Sequence, residues 1–133
     1  MGEAYKLNCG RCSYKQEIFL GIGFRYCSLR TIQEWYEEEE GKKRIAEFIQ
    51  HEEESTYDCF DGLYVCQSCG YLLNAIYLHM ESAADSYTNR YACPRCSAPM
   101  PPKPIEYIPE DAALNCPDCG KERLAVQAFM DWD

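Results

Sequence analysis

Apolar residues recur at helical spacing in one part of the chain, between residues 28 and 54. The six residues that share this spacing are Ile32, Trp35, Tyr36, Ile45, Phe48 and Ile49. Ser28 precedes them and can cap the first turn with its hydroxyl. Gly41 is a point at which the region could divide into two helices. Three glutamates at 52–54 oppose the dipole of a helix C-terminus, so we expect the helical region to end near His51.

Most of the remaining apolar segments predict strands. Residues 13–26 read as a strand followed by a glycine turn, which allows a returning strand. Residues 71–80 could form a helical stripe, but their content of Ile, Tyr and Leu after a paired cysteine motif favours a buried strand. Residues 124–132 predict a C-terminal strand, and residues 83–90 predict a loop. Residues 99–111 hold five of the seven prolines and predict an extended connector.

Ten cysteines in 133 residues change this picture, because eight of them form four CxxC pairs. The pairs are Cys9/Cys12, Cys66/Cys69, Cys93/Cys96 and Cys116/Cys119. A CxxC turn aims two thiolates at one point, and two such turns complete a tetrahedral four-sulfur site that suits zinc or iron. The start of the sequence shows no secretory signal, which disfavours a disulfide framework. Redox dithiols are also disfavoured. A thioredoxin-like pair opens a helix after a strand in a βαβ unit, whereas the glycines that follow Cys69 and Cys119 suit a knuckle turn.

Spacing alone leaves the partners of each pair open. Cys69 and Cys93 are separated by 23 residues, and Cys96 and Cys116 by 19. Either interval fits the hairpin of a zinc ribbon. One scheme joins the inner two pairs and the outer two pairs. The other scheme is sequential and joins the first pair with the second and the third with the fourth.

Two of the motifs resemble a known family. The stretch "YVCQSCGYLL", followed by "YACPRCSAPM", is similar to the two knuckles of rubredoxin and rubredoxin-like ribbons, over residues 63–100. Ser97 departs from that family, which usually has glycine there. The resemblance implies that the inner cysteines form one site, so that the outer ones form a second site joining the two ends of the chain. The whole chain also resembles short bacterial multi-CxxC zinc-ribbon proteins, to which we attach no activity.

These observations predict a small α+β protein in a single domain over residues 1–133, built from zinc-ribbon and rubredoxin-like β-hairpins with a helical insertion at about 28–54. In this scheme residues 1–27 and 112–133 form a terminal ribbon. Residues 28–58 form the helical insertion, and residues 59–111 form the rubredoxin-like ribbon with its proline-rich connector. The expected metal ligands are Cys9, Cys12, Cys66, Cys69, Cys93, Cys96, Cys116 and Cys119. They would hold two Zn²⁺, with iron as an option at Cys66, Cys69, Cys93 and Cys96.

Charge bears on the partners. The formal charge is −9, and eight thiolates with two Zn²⁺ would take it to about −13. Phosphate backbones repel such a molecule, so nucleic acid is not the expected partner. We expect a protein partner with a basic surface, contacted by the glutamates at 37–40 and 52–54 and by Trp132 between Asp131 and Asp133. The alternative is that Trp132 packs against the core and the acidic residues only keep the protein soluble. The sequence has no twenty-residue apolar run, so we expect a cytoplasmic protein without a membrane span.

The predicted function is therefore non-enzymatic binding of a macromolecular partner, more readily protein than nucleic acid. Four-cysteine sites are closed, and a catalytic zinc needs an open position. One alternative is a rubredoxin-like iron electron carrier. Another is an acidic inhibitor that occupies the basic nucleic-acid channel of a second protein. Cys27 and Cys59 remain, and with His51 and His79 they have the composition of a third site, although inert buried thiols are the simpler interpretation.

Overall fold

The computed structural model describes residues 2–23, 26–50, 55–106, 108, 114–120 and 122–132. These residues contain six strands and two helices, an α+β architecture. The strands are β1 (Gly2–Asn8), β2 (Lys15–Gly21), β3 (Thr56–Val65), β4 (Leu72–Glu81), β5 (Ser86–Thr88) and β6 (Ala125–Trp132). The helices are α1 (Leu29–Trp35) and α2 (Glu39–Ile49). The strands predicted at 71–80 and 124–132 are confirmed as β4 and β6.

All six strands form one antiparallel sheet in the order β5-β4-β3-β2-β1-β6. The strands nearest the two ends of the chain are neighbours, because β1 pairs with β6 from Gly2 opposite Trp132 to Asn8 opposite Ala125. Strands β3 and β4 form the longest pairing, ten residues each. Among the described residues, the backbone pairing of β2 with β3 is limited to Gly21 opposite Asp61, and the side chain of Asn74 adds hydrogen bonds to Phe19 and Gly62.

Buried side chains form three clusters along this sheet. The first lies on β1 and β2, where Leu7 and Ile18 are fully buried beside Cys9 and Cys116. The second packs α1 and α2 on β3 and β4 through residues such as Ile32, Ile45, Leu78 and Met80. The third surrounds Cys66 and Cys93 with Tyr64 and Met100. Each cysteine group therefore lies at the edge of its own small core.

The helical region divides at a different place from the one predicted. The break lies at residues 36–38, between the two helices, and Gly41 is a buried residue of α2. Ser28 caps α1 as expected, because its hydroxyl accepts the backbone N–H of Thr31. Glu38 caps α2 by accepting the N–H of Gly41. The predicted end near His51, with the glutamates at 52–54, lies outside the described residues, and α2 is described to Ile49.

Three further segments differ from expectation. Residues 22 and 23 follow β2 without returning as a strand, and residues 24 and 25 lie outside the described part. The predicted loop at 83–90 contains β5, which pairs with β4 through three residues. Strand β3 begins at Thr56, inside the range 28–58 assigned to the helical insertion.

Candidate metal centres

The first cysteine group joins two loops from opposite ends of the sequence. Cys9 and Cys12 lie in the turn between β1 and β2, where the N–H of Cys9 donates to the carbonyl of Tyr14 over 3.1 Å. Cys116 and Cys119 lie in a second turn that precedes β6, with the N–H of Gly120 donating to the carbonyl of Cys116 over 2.9 Å. The pairing of β1 with β6 brings these turns together.

The second group joins two turns in the middle of the chain. Cys66 and Cys69 connect β3 to β4, and the N–H of Gly70 donates to the carbonyl of Cys66 over 2.9 Å. Cys93 and Cys96 follow β5, and the N–H of Ser97 donates to the carbonyl of Cys93 over the same distance. The structure therefore brings together the inner two pairs and the outer two pairs. The sequential arrangement is not observed.

The distances between sulfurs fit a tetrahedral metal site. In the first group Cys9 Sγ lies 3.7 Å from Cys119 Sγ, and Cys12 Sγ lies 3.5 Å from Cys116 Sγ. Both corresponding contacts in the second group measure 3.6 Å. A regular tetrahedron with Zn–S bonds of about 2.3 Å separates its sulfurs by about 3.8 Å. Within each group all four sulfurs lie within 4.8 Å of one another. Each group can therefore hold one metal ion.

The turns after three of the pairs use a left-handed backbone conformation. Gly70 and Gly120 have φ of +82° and +68°, and Ser97 has φ of +65°. This conformation lets the chain reverse after the second cysteine, which is why glycine is favoured there. Backbone N–H groups also point at sulfur: Arg11 N lies 3.4 Å from Cys9 Sγ, and Cys96 N lies 3.5 Å from Cys93 Sγ. Such donors stabilise thiolates.

In the second group, contacts between neighbouring thiols shift the cysteine pKa values in opposite directions. Burial alone would raise the pKa of Cys69, but Arg95, the N–H of Tyr71 and two neighbouring thiols outweigh it and lower the pKa to about 6. The N–H of Ala98 lowers the pKa of Cys96, yet burial and three neighbouring cysteines raise it to about 12. Four adjacent sulfurs do not all ionise unaided near neutral pH. A bound cation relieves this conflict and displaces the remaining protons.

Exposure differs between the ligands. Cys9, Cys66, Cys93 and Cys116 are buried, whereas Cys12, Cys69 and Cys119 are half-buried. Cys96 is exposed. In each group, two buried sulfurs anchor the site against the core and two face outward.

Arg95 connects the two candidate centres. It lies inside the Cys93/Cys96 turn and donates to the carbonyl of Cys69 over 2.6 Å, within its own group. It also donates over 2.8 Å to the carbonyl of Pro117, between Cys116 and Cys119 of the other group. Asp118 lies 3.7 Å away, and the ring of Tyr71 lies 5.5 Å from the guanidinium. The sequence did not single out Arg95, because Arg11 occupies the same position in the first CxxC pair and nothing in the spacing distinguishes the two arginines.

The other candidate ligands do not join a third cluster among the described residues, where the only groups found are the two cysteine tetrads. Cys27 is exposed, and its sulfur lies 3.7 Å from the hydroxyl of Thr31. Cys59 is buried in β3. His79 Nδ1 forms a hydrogen bond of 2.6 Å with Thr88. His51 lies outside the described residues.

Trp132 packs onto the sheet rather than standing apart from it. Its ring lies so close to Gly2 that a Cβ there would approach it to 2.4 Å, and it meets Phe19 edge-on at 6.4 Å. Its indole nitrogen is buried without a hydrogen-bond partner. Asp133 lies outside the described residues. Trp132 is thus held against β1 and β2.

No helix among the described residues is both long enough and apolar enough to cross a membrane. Comparison with known proteins adds no family: a scan of protein-family models, a search of curated proteins and a search of solved structures each found no match. The chemistry of the cysteine groups is therefore the basis for inferring function.

Proposed function

We propose that this chain is a non-enzymatic zinc-ribbon protein, in which two structural Zn(Cys)4 sites stabilise a scaffold that binds a protein partner with a basic surface. The observation that carries the metal part is the geometry of the two tetrads, with sulfur contacts of 3.5–3.7 Å. Four thiolates complete the coordination shell of zinc and leave no position for a substrate. A structural role follows from this closure.

The position of each tetrad supports the structural role. The outer group fastens the turn between β1 and β2 to the segment that leads into β6. The inner group fastens the turn between β3 and β4 to the segment that follows β5. Both groups lie beside small clusters of buried side chains. Zinc binding would supply part of the folding free energy that such small cores do not provide.

Metal content tests this proposal. Protein produced in zinc-replete medium should contain two zinc ions per chain by elemental analysis. The double variant Cys116→Ser/Cys119→Ser should lose one ion, and Cys66→Ser/Cys69→Ser should lose the other. Cys27→Ser is the matched control, because Cys27 is exposed and lies outside both tetrads, and it should retain both ions. Well-folded protein that contains one ion or none would contradict the proposal.

A rubredoxin-like iron electron carrier is the second candidate. Its support is the exposure of Cys96, which would place an ion in the inner group near the surface, as electron transfer requires. Visible absorption separates the candidates, because zinc is colourless and a ferric four-thiolate site is red. Protein purified from iron-replete cells without a red chromophore would exclude this alternative.

The partner part rests on charge. Glu37, Glu38, Glu39 and Glu40 are all exposed at the junction of the two helices, and the chain as a whole is strongly acidic. Such a surface attracts basic proteins and loses that attraction as salt rises. Affinity purification from the native host, with the zinc sites intact and over a series of salt concentrations, identifies the partner. Recovery of only acidic or salt-insensitive partners would contradict this part.

A further inference from the structure

A cleft of about 370 Å³ opens between the helices and the sheet. Trp35, Tyr36, Glu37 and Glu38 line one side, where α1 gives way to α2. Tyr91 and Arg90 line the other side, after β5. The volume falls within the range of about 300–1,000 Å³ that small-ligand sites occupy. None of the residues that line the cleft belongs to either cysteine group.

Hydrogen bonds hold the aromatic walls of this cleft in place. The hydroxyl of Tyr36 accepts a bond from Asn89 Nδ2 over 3.1 Å, and the hydroxyl of Tyr91 donates to the carbonyl of Ile76 over 2.7 Å. Asn89 is itself 2% exposed, and its Oδ1 accepts the N–H of Leu78. The two tyrosine rings are therefore anchored through their polar ends. Binding between them would cost little side-chain ordering.

The third aromatic side chain of the cleft, Trp35, packs against two tyrosine rings. Trp35 meets Tyr26 edge-on, with the ring centroids 5.4 Å apart, and lies 6.1 Å from Tyr36. Aromatic faces attract cations through the negative potential of the ring. Two acidic residues, Glu37 and Glu38, line the same cleft against one basic residue, Arg90. Aromatic rings combined with an excess of carboxylates favour a cation and disfavour a phosphate or a carboxylate.

From these features we infer that the cleft binds an arginine side chain presented by the basic protein partner. Arginine fits both parts of the lining, because its planar guanidinium stacks on aromatic rings and also donates paired hydrogen bonds to carboxylates. This inference rests on the proposed function for its partner, and it adds the position and the chemistry of the contact. Arg90 at the rim is the one competing cation in the lining.

A peptide titration tests the inference directly, without knowledge of the partner. The probe is a capped, glycine- and serine-rich peptide with a single central arginine, added to the zinc-loaded full chain labelled with ¹⁵N. The expected result is a saturable shift of the Trp35 indole and Asn89 side-chain signals. The matched peptide with citrulline, which keeps the shape but lacks the charge, should not bind. A lysine peptide should bind more weakly, because an ammonium does not stack as a plane.

Charge-matched variants locate the site. Glu37→Gln/Glu38→Gln should weaken arginine binding by about five- to tenfold, since it removes both carboxylates of the cleft. Glutamine at 38 still offers an oxygen to the N–H of Gly41, so the cap of α2 is preserved. Glu39→Gln/Glu40→Gln is the matched control, because it removes the same charge from residues that do not line the cleft. It should leave the affinity nearly unchanged, and Arg90→Gln should increase it.

Several outcomes would overturn the inference. These are equal binding of the citrulline or lysine peptide, shifts confined to other surfaces, and an equal loss of affinity in the two double variants. If the glutamine pair at 37 and 38 destabilises the chain, the single variant Glu37→Gln decides the question, because Glu37 caps neither helix. If the peptide titration fails, the proposed function is still tested separately by the zinc content and by the salt-sensitive capture of a basic partner. The failure of this inference is therefore distinguishable from failure of the proposed function.

Discussion

At the scale of single residues, Ser97 has the left-handed backbone conformation that glycine adopts at the equivalent position of two other cysteine turns. It follows the second cysteine of its turn, as Gly70 and Gly120 do in theirs, and all three residues have positive φ. A side chain with a Cβ pays about 1–2 kcal/mol for this conformation. The turn at Ser97 therefore carries a small conformational strain, and the surrounding contacts offset this free-energy cost.

Ser97→Gly should raise the free energy of unfolding by about 0.5–1 kcal/mol, because relief of the left-handed backbone outweighs the greater entropy of the unfolded chain. Gly70→Ala is the opposite test, and it should lower stability by about 1 kcal/mol. An added Cβ at Gly70 would meet no atom within 4 Å, so conformation alone is measured. Urea unfolding of the zinc-saturated proteins gives both values. A loss of stability in Ser97→Gly would contradict the argument.

The residues of the two tetrads could be predicted from the sequence because CxxC spacing reflects a local turn. Their partners were not set by spacing, since intervals of 23 and 19 residues both fit a hairpin, and the resemblance to rubredoxin-like ribbons supplied the choice. Arg95 could not be predicted at all. Arg11 occupies the equivalent position in its own turn, but it forms an ion pair with Glu122 at 3.9 Å. Only the fold determines that Arg95 faces the other centre.

At the scale of elements, glycine did not break the helical region where its propensity suggested. Gly41 lies in the first turn of α2, and the ring of Tyr36 packs directly against it. The helix boundary lies earlier, where Glu38 caps α2. Glycine was a misleading signal because its small size serves packing between the end of α1 and the start of α2. Local propensity does not report such a tertiary contact.

Gly41→Ala should therefore destabilise the protein, although alanine is the better helix former by about 1 kcal/mol. The new Cβ would lie 2.3 Å from Tyr36 Cε2. That ring is buried and its hydroxyl bonds to Asn89, so it has little freedom to move. We expect a net loss of about 1–3 kcal/mol, typical of overpacking, in urea unfolding. Lys43→Ala, on the exposed side of α2, is the control and should change stability little. A stabilised Gly41→Ala variant would show that the ring yields.

At the scale of the whole molecule, charge and metal act together. The formal charge of −9 becomes about −13 when eight thiolates hold two zinc ions. Any electrostatic interaction of the protein with a partner depends on this total charge. Composition could predict it, because counting charges requires no fold. The fold adds that Arg95, one of the few cations, is engaged between the centres.

This charge leads us to expect no measurable affinity for duplex or single-stranded DNA or RNA near 150 mM salt, where screening still leaves an acidic surface repulsive at close range. Fluorescence anisotropy of labelled oligonucleotides measures this. The control is a charge-reversal variant with lysine at all of Glu37, Glu38, Glu39 and Glu40, tested at low salt to show that the assay detects a basic patch on this scaffold. Sub-micromolar binding by the unaltered protein would contradict the charge argument and indicate a nucleic-acid-binding role.

Arg95 also links the two centres through hydrogen bonds. Its guanidinium bridges the carbonyl of Cys69 in one group and that of Pro117 in the other. The side chain of Cys69 comes first among the causes that raise the pKa of Arg95, and a guanidinium is charged at any ordinary pH. Removal of this side chain should loosen both turns, including the one to which Arg95 does not belong.

Arg95→Ala should therefore retain two zinc ions at saturation but lose them several-fold faster to a competing chelator. Alkylation followed by mass spectrometry should show Cys116 and Cys119 becoming reactive early, although the substitution lies in the other group. Arg95→Lys should restore little, because one ammonium does not reach two carbonyls in the planar geometry of a guanidinium. Arg11→Ala is the matched control: it alters the same position of the first CxxC turn, and it should leave Cys66 and Cys69 protected. If Arg95→Ala exposed only the cysteines of its own group, the centres would be independent, and the bridge would contribute orientation without coupling.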